Sequence, residues 1–160
     1  MEYGRAGHPS TEGDHNGVTV TFGTTTTGSA GETIPNGTGA NETYNVTLDP
    51  KQIGSSNDYA IAAAHEGTHI ADINTELANP NGTILSPFSL EYRGYQTSAY
   101  AASALGYSSI SGTYDGRTSV IWNGSWGAVD KNITNYVTRF HDQNGKQDHP
   151  ETTPHNPWPN

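Results

Sequence analysis

Hydrophobic and polar residues alternate in two short segments of the chain, residues 18–22 and 43–48. Alternation of this kind is typical of half-buried strands. We expect the two strands to pair antiparallel, with one face packed on helices. The Thr-, Gly- and Ser-rich stretch between them, residues 23–39, is predicted to be a flexible loop. An edge strand near the first helix would also offer an extended peptide a backbone to pair with.

A helical pattern follows between Ser55 and Asn79. Ser55 and Asp58 have a spacing that resembles a capping box, and the Asn79-Pro80-Asn81-Gly82 turn ends the pattern. Apolar residues recur between these signals at Ile70, Ile73 and Leu77, the stripe of a helix with one buried face. The pattern predicts a helix of about 20 residues.

Two further helices are predicted. The first begins at Ser86-Pro87, an N-cap followed by proline, and ends before Gly106. Its small residues would let it pack closely against another helix: Ser98, Ala99, Ala101 and Ala102. The second runs from Trp126 to about His141 with apolar residues at helical spacing. A short strand is expected at residues 119–122.

These elements predict an α+β domain in which a short antiparallel sheet packs on one helix, accompanied by two further helices. A length of 160 residues is typical of a single domain. We assign residues 1–16 to an irregular N-terminal arm, residues 17–142 to the domain, and the proline-containing residues 143–160 to a loose tail.

Composition narrows the function classes. The net charge of −9 argues against a nucleic-acid partner, which would require a basic surface. The chain has no cysteine, so a metal site would have to use His, Asp and Glu. It has no run of 18 apolar residues, hence no expected membrane span, and its N-terminus lacks the pattern of a signal peptide. We therefore expect a protein that is secreted by another route, or delivered as a module of a longer polypeptide.

The candidate chemistry lies in the first helix, where His65, Glu66 and His69 form the pattern H-E-x-x-H. Side chains four residues apart lie on one helix face, so the two imidazoles can converge on one cation. Glu66 is rotated by about 100° from His65, which places its carboxylate where it can accept a proton from metal-bound water. The pattern predicts a zinc hydrolase; the alternative is an exposed helix with solvated histidines.

A catalytic zinc site uses three protein ligands and keeps one position open. The metzincin pattern is excluded, because Asp72 and Thr75 stand in place of its glycine and third histidine. Asp72 shares the histidine face but lies about 10 Å along the axis from His65, so we predict that it orients a histidine ring. Glu91 borders the apolar stripe of the second helix. Our predicted zinc ligands are His65, His69 and Glu91.

An H-E-x-x-H helix followed about twenty residues later by a helical glutamate resembles the gluzincin metallopeptidases, the group that includes thermolysin. With Asp72 after the motif and residues 89–95 leading into an alanine-rich helix, the chain more closely resembles the metallopeptidase toxin domains at the C-termini of bacterial polymorphic toxins. The resemblance covers about residues 43–106. It departs from the thermolysin pattern at Tyr95, where a supporting Asp would be expected.

The resemblance implies a small zincin-like fold, Zn²⁺ and hydrolysis of peptide bonds in a protein or peptide substrate. A cognate immunity or inhibitor protein is a further partner for a toxin of this kind. Glu66 would be the general base. Tyr95 is our first candidate for the donor that stabilises the oxyanion, ahead of Tyr92 and His141. A cell-wall peptide amidase would use the same site, whereas a non-catalytic binding module would hold no metal tightly.

Overall fold

A computed structural model of the chain describes residues 17–36, 43–79, 81–82, 84–114 and 117–140. These residues form three helices, a three-stranded sheet and a two-stranded sheet, which confirms the predicted α+β class. The chain divides into two compact units, residues 1–82 and 83–160. The predicted arm (1–16) and tail (143–160) lie outside the described residues, and the predicted domain limits stay a prediction.

The described residues of the first unit form three strands and one helix. The elements are β1 (Val18–Phe22), β2 (Gly31–Asn36), β3 (Thr43–Leu48) and α1 (Ser56–Ala78). The strand order is β1-β3-β2, in which β3 pairs parallel with β1 and antiparallel with β2. Both predicted strands are present at the predicted positions, while the third strand was not expected.

The expected antiparallel pairing of residues 18–22 with 43–48 is wrong, because the chain reverses direction twice between them. Residues 31–36, predicted to belong to a flexible loop, form β2 and take the antiparallel position beside β3. The turn before β2 is tied by side chains: the Thr25 hydroxyl donates to the Ser29 carbonyl at 2.8 Å, and Glu32 accepts from the Thr26 amide at 3.0 Å. These side-chain hydrogen bonds hold the turn that leads into β2, which lacks the apolar alternation that normally identifies a strand.

The core of the first unit lies between α1 and the inner face of the sheet. Its buried members come from β3, the following turn and α1: Tyr44, Val46, Leu48, Ile53, Ala63 and Ile70. The Tyr44 hydroxyl donates to Asn74 Oδ1 at 2.8 Å, which satisfies its polar end. Burial of this apolar face fixes α1 against the sheet, and Leu77, the last residue of the predicted stripe, is exposed.

The ends of α1 are those that the sequence predicts. Ser55 is the N-cap, and its side chain accepts from the Asp58 amide at 3.2 Å. The helix ends at Ala78, and Asn79 donates its amide to the carbonyls of Glu76 and Thr75. The H-E-x-x-H motif therefore lies in the middle of a 23-residue helix, where both flanking turns hold its backbone.

In the second unit, the part of the chain that the structure describes forms two helices and a hairpin. The elements are α2 (Pro87–Ala104), β4 (Ile110–Tyr114), β5 (Arg117–Trp122) and α3 (Trp126–Phe140). Ser86 caps α2 through the Ser89 amide at 3.1 Å, as predicted. Ala99 and Ala102 have no exposed surface, and α2 packs against α3. The burial of Ala99 and Ala102 fits the expectation that small residues let this helix pack closely, whereas β4 had not been predicted.

Within the residues that the structure describes, no helix combines the length and the apolar character that crossing a membrane requires.

Candidate metal centre

The two motif histidines lie one turn apart on α1. Their ring centroids are 4.8 Å apart and the ring planes meet at 81°. His65 is buried and His69 is half-buried, so the rings are partly withdrawn from water. This arrangement is the one that an i, i+4 pair on a regular helix is expected to adopt.

Glu91 belongs to the same candidate ligand group. His65, His69 and Glu91 each offer one ligand atom, and these atoms all lie within 4.8 Å of one another. Two imidazole nitrogens and one carboxylate oxygen are the donor set of many catalytic zinc sites. Ligand bonds of that set are near 2.0–2.2 Å, so bound ligand atoms stand about 3.3 Å apart. The group could therefore hold a metal ion.

Glu66 is buried against the first sheet and is only 5% exposed. The Thr33 hydroxyl donates to Glu66 Oε2 at 2.7 Å. Gly31, two residues earlier on β2, has so little space above it that an added Cβ would stand 2.5 Å from Glu66 Oε1. Both residues were missed in the sequence, because the strand carrying them has no apolar alternation and includes Gly31 and Pro35.

Asp72 is 3% exposed, one turn beyond His69 on α1. A carboxylate at such a depth is costly unless it is paired or hydrogen-bonded. Its burial on the histidine-bearing helix fits the predicted role in orienting a ring, which stays a prediction.

Tyr95 lies on α2 one turn beyond Glu91 and contacts Tyr136 of α3. The two rings meet edge to face, with centroids 4.8 Å apart and planes at 69°. Burial raises the pKa of the Tyr136 hydroxyl, the hydrogen bond with Tyr95 lowers that pKa, and the charge of Glu91 raises it. Tyr136 falls within the helix predicted from Trp126 to about His141. Its relation to Glu91 had no signal in the sequence.

Gly112 of β4 makes room for this pair of tyrosines. A Cβ added to Gly112 would lie 2.1 Å from the Tyr136 hydroxyl oxygen. Real Cβ atoms do not approach so closely, and the neighbour here is a ring buried at 5% exposure. A side chain at position 112 would therefore displace the Tyr136 ring, which Tyr95 contacts.

The other predicted oxyanion donors differ from Tyr95. Tyr92 donates its hydroxyl to Asp130 Oδ1 at 2.9 Å. Burial is the largest cause of the strongly raised pKa of Tyr92, and the bond and charge of Asp130 add to it. The single proton of Tyr92 is therefore engaged within the fold. His141 lies outside the described residues.

Comparison with known proteins adds no relative: no family model, curated protein or solved structure matches this chain.

Proposed function

We propose that this chain is a zinc-dependent endopeptidase of the gluzincin type, acting as a secreted or delivered bacterial toxin or effector domain. The observation that carries the proposal is the group formed by His65, His69 and Glu91, whose ligand atoms lie within 4.8 Å of one another. The donor set is that of the His₂Glu zinc hydrolases. The delivered-toxin part of the proposal is supported by sequence resemblance alone.

The three residues of the group and the neighbouring Glu66 each have a defined part in the proposed reaction. His65, His69 and Glu91 would hold the Zn²⁺. When bound, zinc lowers the pKa of water and polarises the scissile carbonyl. Glu66 accepts the proton of the attacking water and passes it to the leaving amine. Its burial beside Thr33 keeps the carboxylate in one orientation, which is what a general base requires.

Among the described residues no strand pairs with the outer edge of β2, which supports an extended peptide as the substrate. β2 lies at one side of the three-stranded sheet. Thr33 pairs with Val46. The backbone groups of every second residue of β3 point to the same side, and those of Tyr44 and Leu48 form hydrogen bonds on the β1 side. The backbone of Val46, which lies between them, therefore also points to β1. The amide and carbonyl of Thr33 consequently point away from β3. A substrate strand can pair with them next to Glu66.

A cleavage assay tests the proposed function directly. Zinc-loaded protein is incubated with an unfolded protein and, separately, with a cross-linked cell-wall peptide, and the new termini are identified by mass spectrometry. We expect cleavage of main-chain peptide bonds in the unfolded protein, abolished by a chelator and restored by Zn²⁺. Cleavage confined to the cell-wall peptide would replace the endopeptidase by an amidase. A zinc-loaded protein that cleaves neither substrate would contradict the proposal.

Asp72→Ala is expected to weaken zinc binding by roughly 10- to 100-fold, the usual effect of losing a group that orients a metal ligand. The measurement is a competition titration against a chromophoric chelator. Glu76→Ala removes a carboxylate from the same helix, four residues further on, and serves as the matched control with parent affinity. Complete loss of zinc in Asp72→Ala would instead identify Asp72 as a ligand.

Tyr95→Phe is expected to lower kcat by about 10²- to 10³-fold while zinc stays bound, because it removes one donor to the developing oxyanion. Tyr92→Phe is the matched control on the same helix. It should retain kcat but lose about 1 kcal/mol of stability, since Asp130 would lose a half-buried donor. Parent kcat in Tyr95→Phe, measured under substrate saturation, would remove Tyr95 from the mechanism.

A further inference from the structure

The contact between β2 and Glu66 involves two alternate residues of the strand. The Thr33 hydroxyl lies 2.7 Å from Glu66 Oε2 and 3.4 Å from the Glu66 carbonyl oxygen. A hydroxyl has one proton to donate, and the shorter contact with a carboxylate is the stronger of the two. Thr33 therefore holds the end of the Glu66 side chain and not only its backbone.

Gly31 shapes the space that the same carboxylate occupies. A Cβ added there would lie 2.5 Å from Oε1, 2.8 Å from Cγ and 2.9 Å from Cδ of Glu66. All three distances are shorter than real Cβ contacts, so either Glu66 or the strand would have to move. The absence of a side chain at position 31 is thus a condition for the observed position of Glu66.

The register of the sheet explains why these two residues meet the helix. Gly31 pairs with Leu48 and Thr33 pairs with Val46, and both partners are buried beneath α1. Directly paired residues project from the same face of a sheet. Gly31 and Thr33 consequently face α1, while Glu32 between them projects from the opposite face and bonds to Thr26.

We infer that Thr33 and Gly31 are positioning residues for Glu66, one holding its carboxylate by a hydrogen bond and the other leaving it room. The catalytic consequence rests on the proposed function, in which Glu66 is the general base. The structural consequence does not, because the two contacts exist whatever reaction Glu66 serves.

Steady-state kinetics tests the catalytic consequence. Thr33→Val keeps the shape of the side chain and removes its hydroxyl, and we expect kcat to fall at least about tenfold with KM unchanged. Gly31→Ala should lower kcat by about 10²-fold, the cost of misplacing a reacting group by roughly 1 Å. Thr33→Ser keeps the hydroxyl and should retain the kcat of the parent. All variants should bind zinc as the parent does.

Two substitutions elsewhere in the same sheet are the controls. Thr21→Val removes a hydroxyl from β1, where Thr21 contacts Thr47 on an exposed surface. Gly23→Ala adds a Cβ that, among the described residues, would meet Thr47 Cγ2 at an ordinary 3.8 Å. Both should behave as the parent. A fall in kcat for the controls equal to that for Thr33→Val and Gly31→Ala would overturn the inference.

Double-mutant cycles test the structural consequence without any activity assay. Thr33→Val and Gly31→Ala should each lower the Tm of the zinc-free parent protein. In a Glu66→Ala background both decreases should disappear, because the carboxylate that Thr33 holds and the atoms that the new Cβ would strike are gone. Equal decreases in both backgrounds would contradict the inference. Coupling between these substitutions and Glu66→Ala, found in a parent that cleaves no substrate, would uphold the inference and remove the proposed function.

Discussion

Glu66→Gln is expected to bind zinc as the parent does, yet to lower kcat for peptide hydrolysis by at least about 10²- to 10⁴-fold, the usual contribution of a general base. The substitution nearly preserves volume and removes the group that accepts the proton. The amide can still accept the Thr33 hydrogen bond through its carbonyl oxygen. Because that contact survives, the loss of activity will report on proton transfer and not on misplacement.

The measurement pairs kcat with zinc content in the same samples. Glu76→Gln makes the same chemical change on the same helix and should retain parent kcat. If the domain is a toxin, cells harmed by the parent should also tolerate Glu66→Gln. Parent-like cleavage by a zinc-loaded Glu66→Gln variant would exclude Glu66 as the base, and a parent that binds zinc but cleaves nothing would favour a binding module.

Removal of any predicted ligand is expected to have the largest effect on metal content. A His₂Glu site with one open position binds one ion, so the purified parent should contain about one zinc per chain. His65→Ala, His69→Ala and Glu91→Ala should each lose it under dialysis, as measured by elemental mass spectrometry. Glu76→Ala removes a carboxylate outside the group and should keep the metal.

Zinc binding should also appear as stability, because a ligand that binds only the folded state raises its free energy of unfolding. A free zinc concentration 100 times Kd contributes about 2.7 kcal/mol. A chelator should therefore lower the Tm of the parent and leave the Tm of Glu91→Ala unchanged. Stoichiometric zinc in the double variant His65→Ala/His69→Ala would show that the ion binds elsewhere.

The histidine motif supplies two zinc ligands and does not determine the third. In the sequence, Asp72 and Glu91 were both candidates for the third ligand. The group whose atoms lie within 4.8 Å contains Glu91, while Asp72 is buried one turn beyond His69. Zinc affinity measured for Asp72→Ala and Glu91→Ala in one titration series will separate the two roles, because a ligand and an orienting group differ in the size of the loss.

The sequence by itself determined the three helices and the geometry of the histidine pair. Capping at Ser55 and Ser86 and the apolar spacing of α3 are local signals, carried by residues within a few turns of one another. The convergence of His65 and His69 follows from the pitch of any regular helix. These features needed no knowledge of distant contacts.

Only the tertiary structure decided the strand β2, the parallel pairing of β1 with β3, and the surroundings of Glu66. β2 contains Gly31 and Pro35 and lacks alternating apolar residues, so its extended form depends on pairing with β3 and on side-chain bonds such as that from Thr26 to Glu32. Partners of a strand are chosen by contacts between residues far apart in the chain, which local propensity does not encode. The contact of Thr33 with Glu66, 33 positions apart, is of this kind.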